Sequence, residues 1–162
     1  GEFDLDPNAP DVTIVGGSGV DPAIFKGTPE PPSPPVRVAV VARMTEAKGI
    51  EDCIAAAKRA RDKGAKIELN LFGSTDPANR GALSPEALRR LCSQTGAIWH
   101  GPSDDIPSVW RNHHVALLLS KREGLPRSLI EAAACARPII ATDVTGCRDV
   151  VSHSKTGLLV PP

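Results

Sequence analysis

Two positively charged side chains stand where the first strand-like segment of the sequence gives way to a helical pattern. Arg43 and Lys48 lie in the connecting loop, and the helical pattern begins at Ile50. A helix N-terminus offers free amide donors and a positive dipole, so two fixed cations beside it favour the binding of a diphosphate. A solvated basic loop without a ligand is the alternative interpretation of the same residues.

A pair of carboxylates belongs to a second loop and to the helical pattern that follows it. Glu123 and Gly124 lie in the loop 120–126, and Glu131 follows Pro126 by roughly 7.5 Å along the predicted helix, at ~1.5 Å per residue. In these positions the carboxylates can accept hydrogen bonds from sugar hydroxyls on both sides of a phosphate at the helix N-terminus. An acid that serves the helix dipole, with a salt-bridging surface glutamate, is the alternative.

The elements that position these loops alternate between strand and helix. Strands separated by helices imply right-handed crossovers, so we expect an α/β fold with a doubly wound parallel sheet of about six strands and helices on both faces. Sheets of this kind bind ligands at the carboxyl ends of their strands. The predicted strands are 36–41, 67–72, 97–100, 115–119, 138–142 and 157–160, and the predicted helices begin near 50, 85, 106 and 127, the last ending near 136.

Proline marks the boundary of the predicted domain. Eight of the 16 prolines lie within the first 36 residues, and the run 31–35 predicts an extended, semi-rigid connector. Residues 1–35 are interpreted as an N-terminal segment and interdomain linker, with a short strand at 12–15 and a turn at 16–19. The compact domain is predicted to occupy residues 36–162.

The composition excludes several classes of function. Lys plus Arg and Asp plus Glu each total 19, so the net charge is zero. A nucleic-acid binder that relies on phosphate contacts normally carries a basic excess, so no nucleic-acid partner is expected. The four cysteines are far apart and form no Cys-x-x-Cys pair, which predicts buried thiols in a reducing compartment.

Membrane and secretion signals are not evident in the sequence. No apolar run approaches the roughly 18 to 20 residues that a bilayer span requires. The first residues carry neither a basic region nor an apolar stretch, so a signal peptide is not predicted and a cytoplasmic location is expected.

Taken together, these motifs resemble the family-4 retaining glycosyltransferases over about residues 12–162. Glu123 and Glu131 bracket seven residues, which is the spacing of that family's signature. One departure is Ala136, which stands where the family usually has glycine. The matching segments occur in the family's order: 41–44 with Lys48 and Gly49, Gly73, 120–126 through Glu131 and Ala132, 134–142, and 143–149.

The resemblance implies a Rossmann-like domain that forms the donor-binding half of a GT-B fold and stops before the family's closing helices. Arg43 and Lys48 match the pair that neutralises the leaving diphosphate, and Glu123 matches the acid that holds hydroxyls of the donor sugar. These three residues are the catalytic candidates. The family binds its donor without a metal, so we expect no metal site and no cofactor.

Further donor contacts are implied by the same match. Gly124 and Leu125 match the loop whose amides face the sugar and the phosphate, and Glu131 matches the glutamate that binds the ribose. Gly73 and the turn that contains His100 and Gly101 fall where the family packs the nucleobase. Asp104 and Asp105 are interpreted as a helix N-cap pair.

The resemblance implies a retaining transferase that moves a hexose or aminohexose from a nucleotide-diphosphate sugar, with a UDP-sugar favoured, to a glycan or lipid-linked acceptor. Surface polysaccharide biosynthesis is the expected setting. The expected partner is an N-terminal acceptor domain, without which this part should be inactive, and the intact enzyme is expected at the membrane periphery. A GT-B nucleotide-sugar epimerase and a non-catalytic nucleotide- or partner-binding α/β module are the alternatives.

Overall fold

The computed structural model of the protein describes residues 19–76, 78–79 and 81–162, so the strand predicted at 12–15 and most of the turn after it lie outside the described residues. Strands and helices alternate along the described chain. A short 3-10 turn, Glu46–Lys48, precedes the first helix. The elements are β1 Val36–Val41, α1 Ile50–Asp62, β2 Ile67–Phe72, α2 Pro85–Thr95, β3 Ile98–Gly101, α3 Ile106–Asn112, β4 Val115–Leu118, α4 Arg127–Ala134, β5 Ile139–Thr142, α5 Thr145–Arg148 and β6 Gly157–Val160.

The six strands form one sheet in the order β3-β2-β1-β4-β5-β6, and every neighbouring pair is parallel. The predicted doubly wound α/β fold is confirmed. Strands β1 and β4 are neighbours although two strands and three helices, α1 to α3, lie between them in sequence. Because the chain leaves these two strands toward different sides, a crevice opens at their carboxyl ends.

Helices cover both faces of the sheet. On one face, α1 and α2 bury apolar side chains such as Ile54 and Leu88 against β1 and β2. On the other face, α3, α4 and α5 bury side chains such as Trp110, Leu129 and Cys147. The continuous apolar character of the central strands follows from this double cover.

The helix boundaries follow from local capping groups. The Ser84 hydroxyl accepts a hydrogen bond from the Ala87 amide at 3.1 Å and begins α2. Asp105 caps α3 by accepting a hydrogen bond from the Ser108 amide at 2.9 Å. It is one of the two residues predicted as an N-cap pair, and Asp104 precedes the cap. Helix α4 ends two residues earlier than predicted because Ala136 adopts a left-handed conformation with φ of 58°.

The segment ahead of β1 packs on the face that α3 and α4 cover. We call residues 20–31 the strap. Phe25 is 8% exposed and belongs to the apolar cluster of this face. The guanidinium of the buried Arg137 donates to the carbonyl groups of Thr28 and Pro29. The boundary at residue 36 therefore marks the first strand rather than the first buried side chain.

The four cysteines, Cys53, Cys92, Cys135 and Cys147, are buried and free. Burial raises the pKa of Cys53 to about 12 and that of Cys147 to about 11. Both thiols therefore stay protonated at neutral pH, as expected of packing residues.

Candidate functional site

The crevice between β1 and β4 contains a cleft of about 280 Å³, which we call the charged cleft. The loop after β1 contributes Arg43 and Lys48, and the loop after β4 contributes Glu123 and Leu125. Sequence reasoning predicted all four. The complete lining is Val41, Ala42, Arg43, Lys48, Leu118, Glu123, Leu125, Pro126, Arg127 and Ser128.

A second cleft of about 240 Å³ adjoins the first at the carboxyl ends of β1 and β2, and we call it the neutral cleft. The two clefts share Val41, Ala42 and Arg43, so they are two parts of one groove along the sheet edge. Apart from Arg43, its lining carries no charged side chain. That lining is Val41, Ala42, Arg43, Phe72, Gly73, Ser74, Pro102, Ser103 and Ile106.

Two donors meet on one oxygen atom inside the charged cleft. Lys48 Nζ lies 2.6 Å from Glu123 Oε1, and the Ser120 hydroxyl donates to the same Oε1 at 2.5 Å. The Glu123 side chain is 7% exposed and that of Lys48 is 23% exposed. Within the described part of the chain, no donor reaches Glu123 Oε2 and no carboxylate pairs with Arg43.

Further contacts join the two loops that carry these residues. The Lys121 amide donates to the carbonyl oxygen of Ala47 at 3.0 Å. On the outer side, Lys121 Nζ lies 2.6 Å from Glu46 Oε1. The hydrogen bond and charge of Lys121 hold the pKa of Glu46 below its usual value. A backbone hydrogen bond and an ion pair therefore connect the loops after β1 and β4.

Three glycines let the backbone of the groove pack without side chains. A Cβ at Gly49 would overlap the carbonyl oxygen of Leu119, and a Cβ at Gly73 would overlap that of Ala42. At Gly146, in the first turn of α5, it would overlap the carbonyl oxygen of Gly124. Gly146 and Gly49 thus position the loops of the charged cleft, while Gly73 positions the neutral cleft.

Glu131 lies behind the charged cleft rather than in its lining. Its side chain is 9% exposed, and Arg127 Nε lies 3.0 Å from Glu131 Oε1. Burial raises the pKa of Glu131, and the neighbouring charge of Arg127 opposes that rise. Arg127 itself lines the charged cleft, so this ion pair connects Glu131 to the edge of the groove.

The predicted nucleobase contacts differ in their placement. Gly73 lines the neutral cleft, and its amide donates to the carbonyl oxygen of Gly101 at 2.8 Å. The His100 ring stacks on Phe72 at 4.6 Å between centroids and its Nε2 lies 2.7 Å from Asn70 Oδ1. His100 is absent from the lining of both clefts, because its ring lies on the face of the sheet.

Several residues of the groove were not predicted as site residues. Ser120 lines neither cleft but donates to Glu123 Oε1, and the sequence indicated it only as part of the loop 120–126. Its buried position just after β4 places a polar group at the carboxyl end of a strand. Ser103 and Ile106 became visible as lining only through the sheet order, which sets α3 beside β1 and β2. No sequence spacing links them to Gly73.

The described residues show neither a cluster of metal-ligating side chains nor a membrane-spanning helix. Among residues 19–76, 78–79 and 81–162, no group of three or more His, Cys, Asp or Glu side chains could hold a metal ion. None of the described helices is both long enough and apolar enough to cross a membrane.

Known proteins resemble this chain in sequence over most of its length. Residues 35–162 match the family model described as glycosyl transferases group 1. The chain is 31% identical over 122 residues to the N,N'-diacetylbacillosaminyl-diphospho-undecaprenol alpha-1,3-N-acetylgalactosaminyltransferase of Campylobacter jejuni, covering 75% of this chain and 30% of that protein. It is 29% identical over 123 residues to the capsular polysaccharide biosynthesis glycosyltransferase CapM of Staphylococcus aureus, covering 76% of this chain and 32% of CapM.

The fold also has solved counterparts. The crystal structure of Anabaena HepE in complex with UDP and glucose aligns with a TM-score of 0.72 and 20% sequence identity, covering 89% of this chain and 42% of HepE. This likeness shows the fold alone. The chain spans about a third of the length of the curated relatives it matches.

Proposed function

This chain belongs to the glycosyl transferases group 1 family, and on that basis we propose that it is the donor-binding half of a retaining glycosyltransferase. The donor is a nucleotide-diphosphate sugar, with a UDP-sugar favoured, and the group transferred is a hexose or an aminohexose. The acceptor is a glycan or a lipid-linked glycan of surface polysaccharide biosynthesis, a setting also named for the relative CapM.

The observation that carries this proposal is the meeting of Arg43, Lys48 and Glu123 in one cleft at the switch point of the sheet. Arg43 and Lys48 bind the diphosphate and stabilise the negative charge that develops on it as the bond to the sugar breaks. This is electrostatic catalysis, and the two cations supply the charge that a metal ion would otherwise provide. A metal-independent reaction is therefore part of the proposal.

The sugar lies against the loop after β4. Glu123 accepts hydrogen bonds from sugar hydroxyls through Oε2, and the backbone amides of Gly124 and Leu125 face the sugar and the phosphate. The exposure of Gly124 supports the contact between this loop and a ligand. The bonds from Lys48 and Ser120 to Oε1 hold the Glu123 carboxylate in one orientation, which supports its role toward the sugar. Glu131 binds the ribose, which requires the Arg127 side chain to turn away from it.

The nucleobase occupies the neutral cleft beside Gly73 and Gly101. A neutral, partly apolar lining suits a planar base better than it suits a phosphate. Uracil is favoured because the structural neighbour HepE was solved with UDP and glucose. Direct contact between His100 and the base would require the His100 ring to leave Phe72 and Asn70.

The intact protein needs a partner for catalysis. We propose that an N-terminal acceptor domain completes the cleft, in the cytoplasm and peripheral to the membrane. The chain's coverage of about a third of its curated relatives supports a longer protein. In this proposal the present part binds donor and transfers nothing by itself.

Nucleotide binding by matched lysine variants tests the proposal. Titration calorimetry and ligand-observed NMR would follow UDP, GDP and ADP on the 162-residue chain, on Lys48→Ala and on Lys58→Ala. Lys58 pairs with Asp62 on α1 at 2.6 Å, away from both clefts. We expect one nucleotide to bind, and Lys48→Ala to weaken it by about tenfold or more because a charged hydrogen bond is lost. Lys58→Ala should leave it unchanged.

The base and ribose contacts are tested in the same way. Glu131→Ala should weaken binding of the same nucleotide, and the free nucleoside should bind equally well to the chain and to Lys48→Ala. Equal nucleotide affinity of Lys48→Ala and Lys58→Ala would contradict the diphosphate site. Binding of no nucleotide at millimolar concentration would contradict the donor-binding role of this chain.

A further inference from the structure

Lys48 is bonded to a carboxylate of its own cleft, and this contact would oppose its role as a diphosphate ligand. We propose that Glu123 competes with a diphosphate for Lys48, so that the cleft prefers an intact nucleotide sugar to the nucleoside diphosphate that remains after transfer. The inference rests on the proposed function and adds a specificity role to Glu123. The inference concerns the relative affinity of this one site for the nucleotide sugar and for the nucleoside diphosphate.

The geometry fixes the competing carboxylate in place. Lys48 Nζ at 2.6 Å and the Ser120 hydroxyl at 2.5 Å both bond to Oε1 of Glu123. Ser120 is fully buried, so its hydroxyl is a rigid anchor. The backbone of Glu123 is also held, because its carbonyl oxygen accepts from the Gly146 amide at 3.3 Å. The carboxylate therefore keeps its position when a ligand enters the cleft.

The two ligands differ in what they present to that carboxylate. A nucleoside diphosphate ends in a phosphate whose oxygens are acceptors only, and near neutral pH this group carries close to two negative charges. In a nucleotide sugar the same phosphate is esterified and has one charge fewer. Like charges a few ångströms apart repel strongly in a partly buried cleft. Glu123 should thus weaken the free diphosphate more than the donor.

The intact donor also offers a compensating contact. Its sugar hydroxyls can donate to Oε2, which no donor reaches within the described part of the chain. One carboxylate therefore repels the product and attracts the substrate. Departure of the nucleoside diphosphate after transfer is faster as a result.

A second ion pair provides a control within the same two loops. Lys121 and Glu46 also lie 2.6 Å apart, but their side chains are 59% and 63% exposed. Neither residue lines the charged or the neutral cleft. Glu46→Gln removes one negative charge near the site and leaves the carboxylate of Glu123 in place.

Calorimetry on the full chain tests the inference. UDP, GDP and ADP, and UDP-glucose, GDP-mannose and ADP-glucose, would be titrated into the chain, Glu123→Gln and Glu46→Gln at one ionic strength. We expect Glu123→Gln to bind the preferred nucleoside diphosphate about tenfold more tightly, because Lys48 is released and a repelling charge is removed. Its affinity for the matching nucleotide sugar should stay equal or fall. Glu46→Gln should change both by less than about twofold.

Each outcome separates the inference from the proposed function. Nucleoside diphosphate binding that Glu123→Gln strengthens no more than Glu46→Gln would overturn the inference and leave the donor site standing. Absence of nucleotide binding in all three proteins would overturn the donor site itself.

A measurement on the unchanged chain guards against poor folding of the variant. The β-methyl ester of UDP lacks one charge of UDP and carries no sugar, so it should bind about tenfold more tightly than UDP if Glu123 repels the free terminal phosphate. Equal affinity for UDP and its methyl ester would contradict the inference. Glu123→Ala, studied beside Glu123→Gln, should show the same gain for UDP.

Discussion

The groove at the carboxyl edge of the sheet and the strap on the α3–α4 face differ in how the residue type matches the local backbone packing and conformation. At the groove, Gly49, Gly73 and Gly146 occur where any Cβ would overlap a neighbouring carbonyl oxygen. On the strap side, Ala136 holds a φ of 58°, a conformation that glycine adopts without cost. Glycine is thus present at three groove positions where close packing requires it, whereas Ala136 accepts the strain of a left-handed conformation.

The difference shows which part of the molecule demands accurate backbone placement. The groove positions charged groups whose separation decides what they bind, so its loops are held by contacts between main chains. The strap side has to supply burial, and apolar packing around Phe25 tolerates a strained residue nearby. Three substitutions, each with a matched control, test this contrast.

Gly73→Ala should have the largest effect. Its φ is 150°, and the added methyl group would meet the carbonyl oxygen of Ala42. We expect a loss of about 3 kcal/mol or more in the free energy of unfolding, because strain and displacement of β1 combine. Chemical denaturation of the chain and of the variant measures this loss in the free energy of unfolding.

The control for this substitution is Gly64→Ala. Gly64 has a comparable positive φ of 92° but open space around the site of a Cβ. Only conformational strain applies there, so the loss should be about 1 kcal/mol. Equal losses at the two positions would show that close packing at the groove contributes nothing.

Phe25→Ala should have an intermediate effect on the strap side. Phe25 is 8% exposed, so its truncation leaves a cavity and should cost about 3 kcal/mol at most. Ile24, its neighbour, is 56% exposed, and Ile24→Ala should change stability by less than about 0.5 kcal/mol. If Phe25→Ala also proved neutral in a denaturation experiment, the strap would not be part of the packed domain.

Ala136→Gly should give the smallest effect, and it should raise the stability where the other two substitutions lower it. Relief of the left-handed strain is worth about 1–2 kcal/mol, and the greater freedom of glycine in the unfolded chain offsets about half of it. We expect a gain of roughly 0.5–1 kcal/mol in denaturation, with nucleotide binding unchanged.

Ala133→Gly is the matched substitution within α4. Its position is helical and exposed, so glycine should lower the stability by about 1 kcal/mol. A loss at both positions would mean that Ala136 is not strained.

The sequence predicted most of the fold because the central strands β1, β4 and β5 are apolar and alternate with helical patterns. The bounds of β1, β2 and β6 agree with the predicted segments, since each is flanked by polar or turn residues. The 3-10 turn Glu46–Lys48 and the helix α5 were not predicted. Both are too short for a helical periodicity to be recognised, which takes about three turns. In addition, α5 depends on a tertiary contact between Gly146 and the loop at Glu123.

The charged cleft could be predicted more fully than the neutral cleft. Arg43, Lys48 and Glu123 are chemically distinctive residues at strand ends, and parallel strands bring their ends to one edge. The lining of the neutral cleft is mostly small or apolar, with no chemical signature in the sequence. Placement of Glu131 and His100 required side-chain directions, which depend on partners such as Arg127 and Asn70 that spacing cannot reveal.

The strap has a mechanical consequence for the groove. Phe25 is packed in one cluster with Val109 of α3 and Leu129 of α4, so a displacement of the strap would bear on these two helices. The leading ends of the same helices border the groove, with Ile106 at the neutral cleft and Arg127 at the charged cleft. A displacement of the strap would therefore reach both clefts through α3 and α4, in addition to the backbone path into β1.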